Sequence, residues 1–274
     1  MVALILHTGV GSKVIKKDKE NDQQIIIDKA SRIGLDLLKD GKSALDAVEE
    51  IINILESSGL FNAGIGSVIQ SDGCQRMDAG IMLSDLRCGA VAGLSGIKYP
   101  ISVARKIMEL TNHVCLIGDH AKEFGKKYNI PKIPVKKPYL NNSSKSNRSV
   151  SDTIGAVVLD QNGTIAIGTS TGGLYKAMAG RVGDCPMIGS GLYANEYGGV
   201  TCTGFGEDII KTTLARYTIF QLEQGYNAQE AADRAMNYFV EKTRSVAGLI
   251  LITIKGEYGI KHNGKYMNWK YLRD

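Results

Sequence analysis

Apolar positions along the chain fall into short unbroken runs and longer stretches of helical period. Ala3 to Leu6 is an unbroken run ending in H-T-G-V-G, which predicts a buried strand entering a glycine turn. From about Gln23 to Lys39 the residues Ile26, Ala30, Ile33 and Leu37 recur on one helical stripe, and Gly41 is placed to end that helix. Ser43 is the expected N-cap of the next helix, Asp46 suits its positive end, and Ala44, Ala47, Val48, Ile51, Ile54 and Leu55 form its buried face. The segment L-F-N-A-G-I-G-S (Leu60 to Ser67) then sets two glycines and an asparagine in an apolar context. Strands are predicted near Ser67–Gln70, Asp78–Leu83, Cys88–Gly93 and Val114–Gly118, and helices over Ile101–Leu110 and Ala121–Tyr128.

The pattern fails between Lys126 and Asp152. Pro131, Pro134 and Pro138 are followed there by N-N-S-S-K-S-N-R-S-V-S-D, a composition that buries too little to offset its ordering entropy, so it reads as a linker. Beyond it, strands at Gly155–Leu159 and Ile165–Thr169 are joined by D-Q-N-G, a hairpin signal. Helices over about Glu207–Glu223 and Ala228–Lys242 precede strands Gly248–Lys255 and Tyr258–Lys261. Strands and helices in blocks, with hairpins, favour a layered α+β fold over a parallel Rossmann sheet.

At 274 residues and 43% hydrophobic the chain has material for a substantial core. Its 32 glycines come in short clusters, the distribution of tight turns and close backbone approaches. The net charge of +5 is densest from Lys126 to Arg148, inside the linker, so it argues for solubility rather than for nucleic acid. Cys74, Cys88, Cys115, Cys185 and Cys202 show no C-x-x-C spacing and are odd in number, as expected of reduced thiols. The opening M-V-A-L-I-L-H-T-G has no basic n-region, and no apolar run has membrane-spanning length. A cytoplasmic protein without membrane or nucleic-acid partners is the expectation.

Four ordered motifs follow the linker: D-T-I-G-A-V-V-L-D (Asp152 to Asp160), G-T-S-T-G-G (Gly168 to Gly173), G-R-V-G-D (Gly180 to Asp184) and C-T-G-F-G-E (Cys202 to Glu207). With S-A-L-D-A-V-E, L-F-N-A-G-I-G-S, M-D-A-G-I-M and N-H-V-C-L-I-G upstream, the chain resembles the plant-type asparaginase/isoaspartyl peptidase family of threonine N-terminal-nucleophile hydrolases from His7 to about Tyr217.

A threonine hydroxyl needs a base, and a free α-amino group, with a pKa of about 7.7–8.0, can be one at neutral pH. A chain break between Asp152 and Thr153 would put nucleophile and base on Thr153 and make the linker a loose tail. The resemblance implies that this cleavage is autocatalytic. It further implies a four-layer αββα sandwich, one domain over 1–274 built from interleaved fragments 1–152 and 153–274, and homodimers of the cleaved unit. It places Thr171 beside the nucleophile and gives Thr203 and Gly204 to an oxyanion hole. Asn62 and Gly206 are implied to lie at the substrate site.

Arg181 and Asp184 suit the α-carboxylate and α-ammonium of an amino-acid substrate, a guanidinium fork for one and a carboxylate for the other. The chemistry needs no cofactor. In relatives a sodium ion lies on main-chain carbonyls that correspond to Leu55, Glu56, Ser58, Phe61, Ala63 and Ile65. Departures are H-T-G-V-G where the family has H-G-G-A-G, and Asp rather than Gly before Thr153. His7 reads as structural and Asp78 as a support residue. The implied reaction is hydrolysis of L-asparagine or β-aspartyl dipeptides. Rivals are glycosylasparaginase, favoured by Asp152-Thr153, a related threonine protease, which typically lacks an acid at Asp184, and an unprocessed scaffold.

Overall fold

Alternation along the strands divides the molecule into layers. The computed structural model describes residues 1–11, 17–133 and 153–274. In β5 (Ile154–Leu159), Ile154, Ala156 and Val158 join one buried cluster while Val157 and Leu159 join another. The same split in β1 (Ala3–Gly11) sends Leu4 and Leu6 one way and Ala3 and Ile5 the other. These strands, with β2 (Met77–Leu83), β3 (Cys88–Leu94), β4 (Cys115–Ile117), β6 (Ile165–Thr171) and β11 (Tyr266–Arg273), form a seven-stranded sheet in the order β11-β1-β5-β6-β2-β3-β4. Among the described strands of this sheet only β3 and β4 pair in parallel. A second sheet, β10-β9-β8-β7, joins β7 (Leu192–Asn195), β8 (Gly198–Gly204), β9 (Ala247–Thr253) and β10 (Tyr258–His262).

Three apolar clusters hold four layers together. Helices α1 (Lys17–Lys39), α2 (Ala44–Ser58), α3 (Pro100–Leu110) and α4 (Gly118–Lys127) bury residues such as Ile27, Ile51, Ile101 and Ala121 against the outer face of the large sheet. Helices α5 (Gly206–Thr212), α6 (Leu214–Glu223) and α7 (Ala228–Thr243) cover the small sheet with Ile209, Ile219 and Phe239. The third cluster lies between the sheets, where Val157, Ile165 and Ile167 meet Leu192, Ile250 and Ile252. This is an αββα sandwich.

Local signals act as predicted at several joints. Ser43 Oγ accepts the Asp46 amide at the start of α2, and Gly59 ends that helix with φ +72. In the D-Q-N-G turn, Asp160 Oδ1 accepts the amides of Asn162 and Thr164, while its Oδ2 accepts that of Ala44. One buried carboxylate thus closes the β5–β6 hairpin and caps α2.

Elsewhere tertiary context overrides the pattern. H-T-G-V-G is not a terminating turn: β1 runs on to Gly11 through an irregularity between His7 and Val10. No strand forms over 67–70. That segment faces a loop, with only an isolated bridge from Ile69 to Gln75. The helix expected over Glu207–Glu223 is two helices, broken at Thr213, which adopts φ 45 and ψ 49. The break turns the first amides of α6 toward loop carbonyls, Ala215 to Ser190 and Arg216 to Gly189. Strands β7, β8 and β11 have no counterpart in the periodicity. Glycine interrupts β8, and a Cβ on Gly199 would come 2.6 Å from Ile167 and 2.7 Å from Ile165, so the opposing sheet fills its place. The linker beyond Ile133 and Asp152, on the far side of the expected cleavage point, lies outside the described residues.

Candidate active site

Polar side chains gather at one end of the apolar seam between the sheets. Thr153 immediately precedes β5, and the hairpin register pairs Ile154 with Ser170 and Gly155 with Thr169. Continued by one residue, it sets Thr153 against Thr171, and the Thr153 hydroxyl donates to Thr171 Oγ1 at 3.1 Å. Both threonines are buried. Period-2 alternation turns them to the inter-sheet face, where Thr201 and Thr203 of β8 also project, since Val200 and Cys202 on the same strand pack against helices.

Thr171 Oγ1 accepts the amide of Gly173 at 3.1 Å, which joins the threonine pair to the T-G-G turn. Asn62 pins that turn from the other side. Its Nδ2 donates to Gly173 O at 2.7 Å, its carbonyl accepts from Gly172, and its Oδ1 accepts from Val68 at 2.9 Å. Asn62 is therefore linked to Thr153 through the turn that carries Thr171.

Arg181 lies next to this turn, and its partner is not Asp184. Its Nε and Nη2 donate to Glu207 Oε1 and Oε2, both at 2.9 Å, a bidentate pair that leaves Nη1 pointing at the glycines. A Cβ on Gly183 would come 2.8 Å from Nη1, and one on Gly206 would come 2.6 Å from Asp184 Oδ1 and 2.8 Å from Arg181 Nη2. Asp184 is buried, its Oδ2 has no partner among the described residues, and burial pushes its pKa up to about 7 against the pull of Arg181. A forked cation and a buried acid thus sit side by side against glycine backbone, groups of the charge and shape that complement an α-carboxylate and an α-ammonium.

The profile of the asparaginase family matches residues 1–148 and 132–274 of this chain. The chain belongs to that family. The isoaspartyl peptidase/L-asparaginase of Bos taurus is 39% identical over 287 residues, spanning 99% of this chain and 93% of its own length. That of Homo sapiens is 38% identical over 287 residues with the same coverage. The plant-type L-asparaginase of Pyrococcus horikoshii is 39% identical over 303 residues, spanning 100% of this chain and 97% of its own.

In this asparaginase-family chain the end of β8 completes the site. Thr203 is fully buried and its Oγ1 has no partner among the described residues. Gly204 follows with φ +145, and a Cβ there would collide with the Val246 carbonyl, so only glycine fits. The periodicity did not disclose the supporting residues. Glu207, read only as a helix-start acid, orients Arg181. Gln70 takes the Gly180 amide at 2.8 Å and donates to Arg181 O at 3.0 Å, clamping the backbone around the arginine. Asp78 accepts the amides of Gly93 and Gly183, the support role read for it in the sequence. Such contacts are long-range, and no local signal announces them.

The last turn of α2 and the loop after it carry the main-chain oxygens expected of a cation site. Gly64 and Gly66 lie so close to the carbonyls of Glu56 and Phe61 that a Cβ on either would overlap them. Leu55 O is met by the Ser58 hydroxyl at 2.8 Å and Ala63 O by Gly66 N at 3.1 Å, but a carbonyl has a second lone pair. Main-chain oxygens such as those of Leu55, Glu56, Ser58, Phe61, Ala63 and Ile65 are hard donors of the kind that suits a monovalent cation, and a side chain at Gly64 or Gly66 would crowd those of Glu56 and Phe61. Among the described residues no group of three or more His, Cys, Asp or Glu side chains could hold a metal. No described helix is long and apolar enough to cross a membrane.

Glu56 itself is fully buried beside Ser170, with the Ile101 amide at 3.3 Å from Oε1, and burial raises its pKa to about 8. Between about 4.5 and about 8 the folded chain alone keeps this proton. The stabilisation, complete below 4.5, is therefore lost as pH rises through that window. Glu56→Gln is expected to flatten this dependence. Melting temperatures of both proteins, taken between about pH 5 and pH 8.5, check it, and equal slopes would count against the assignment.

Proposed function

We propose that the protein cleaves itself before Thr153 and then hydrolyses the side-chain amide of L-asparagine or of β-aspartyl dipeptides, releasing L-aspartate. The observation that carries this is the continuous chain of contacts from Thr153 through Thr171 and Gly173 to the Arg181–Glu207–Asp184 pocket. The names of the similar proteins are consistent with it.

In the mechanism Arg181 binds the substrate α-carboxylate and ionised Asp184 its α-ammonium, which sets the distal carbonyl beside Thr153. The Thr153 hydroxyl attacks that carbonyl while its α-amino group takes the proton, and Thr171 holds the hydroxyl in line. Thr203 Oγ1 and the Gly204 amide donate to the developing oxyanion, each such donor being worth about 10²–10³ in rate. The amine passes its proton to the departing ammonia or amino acid. Water then hydrolyses the threonyl ester and returns Thr153. Gly206 keeps the pocket open, and Asn62 keeps the Thr171 turn in place. A sodium ion on the 55–65 carbonyls would stiffen the loop carrying Asn62 and would take no part in proton or bond transfer. The cleaved units are proposed to pair as homodimers.

Intact mass of the purified protein during incubation near neutral pH, with aspartate release assayed in parallel, tests the proposal. Fragments 1–152 and 153–274, appearing together with activity toward either substrate, are expected. A chain that stays whole and inert would leave only the fold.

A further inference from the structure

His7 stands in β1 opposite Gly155, at the polar end of the seam between the sheets, and is fully buried. Its Nδ1 accepts the Gly9 amide at 3.3 Å. That bond fixes the tautomer, so Nε2 carries the proton. Nε2 points at the start of β5. A Cβ on Gly155 would overlap it, and would also come 2.8 Å from Thr201 Oγ1. The glycine of T-I-G is thus the slot that admits the imidazole. Among the described residues neither Nε2 nor Thr201 Oγ1 has a hydrogen-bond partner, although both are wholly enclosed. The main chain of Thr153, two residues before Gly155, acts on the ring against the effect of burial.

Resting on the threonine-hydrolase reading above, we propose that His7 is a positioning residue for the nucleophile: its buried Nε2–H, left without a partner beside the start of β5, takes the Thr153 carbonyl as its acceptor during reaction and so fixes the rotation of the residue whose hydroxyl and amine react. An N-terminal residue is anchored only through its carbonyl side. Cleavage before Thr153 would free its backbone to turn, spoiling the alignment of Oγ1 with Thr171 and of the amine with Oγ1. A neutral donor buried behind the carbonyl prevents this without competing as a base. Burial pushes the His7 pKa down to about 3, so the ring stays uncharged across the working range. Contacts of this kind are often slack in a resting site and tighten during reaction.

His7→Leu removes the donor and keeps an apolar volume, whereas His7→Gln offers an amide N–H at similar reach. His7→Leu is expected to lower kcat of the cleaved enzyme by about tenfold or more with KM changed less than about twofold, and to slow self-cleavage. His7→Gln should recover most of the loss. The pH dependence of kcat should keep its midpoint in both, because the titrating base is the Thr153 amine. Gly155→Ala, which displaces the ring from the opposite side, supplies a second route to the same kcat defect if His7→Leu fails to fold. Wild-type kcat in His7→Leu, a defect in KM alone, or a Gln variant no better than Leu would overturn the assignment. A wild-type protein that neither cleaves nor hydrolyses would instead sink the reading on which it rests.

Discussion

Thr153→Ala leaves one uncut chain and no measurable turnover of L-asparagine or β-aspartyl dipeptides. The substitution removes the hydroxyl that Thr171 meets at 3.1 Å, and with it both the attack on the preceding carbonyl and the attack on substrate. Removing a catalytic nucleophile costs kcat on the order of 10⁶. The fold should survive, because residue 153 precedes β5 and meets Thr171 at the seam's end. Thr153→Ser keeps the hydroxyl without the methyl group and should cleave slowly to the same fragments. Mass spectrometry of the three proteins after equal incubation decides the matter. Fragments of 1–152 and 153–274 from the alanine variant would remove Thr153 from the mechanism.

Arg181→Met is expected to raise KM by about 10²–10³ while kcat falls much less, since truncating a buried, hydrogen-bonded charge typically costs about 2–5 kcal/mol of binding. Two effects add. The substrate carboxylate loses its fork, and Asp184 loses the cation that draws its pKa down toward about 7, so it would hold its proton and bind ammonium poorly. Steady-state kinetics in the cleaved form measure the split. A fall confined to kcat would place Arg181 elsewhere in the reaction.

The wild-type pH profile carries the same signature. Asp184, with its pKa raised to about 7, must be ionised to bind the ammonium, so kcat/KM should drop as pH falls through that value. In the bound state the ammonium keeps Asp184 charged. The acid limb of kcat should then report the Thr153 amine alone and be the shallower of the two.

Much of this site was legible because its chemistry is carried by residue types at close spacing. Asp152-Thr153 beside a linker, the T-G-G turn, and an arginine and an aspartate between glycines all lie within short segments. The hairpin signal D-Q-N-G even sets the register that brings Thr171 to Thr153. What stayed hidden is held by residues far apart in the chain. Glu207 binds Arg181 across 26 positions and Gln70 binds it across 111, and neither has a local pattern that tells a clamp from a solvated polar residue. The strand expected over 67–70 was wrong for the same reason, since its backbone bonds to the loop around Ala177.

The sequence by itself determined the element types in the long periodic stretches, the cap at Ser43 and the family to which the chain belongs. Side-chain period and capping chemistry act over a few residues, so they can be read from a few residues. The tertiary structure alone decided that two sheets stack with His7, Thr153, Thr171, Thr201 and Thr203 at one end of an otherwise apolar seam, that Thr213 breaks a helix, and that Glu207 rather than Asp184 takes the guanidinium. Those outcomes depend on which faces meet, and faces meet only when distant strands choose their partners.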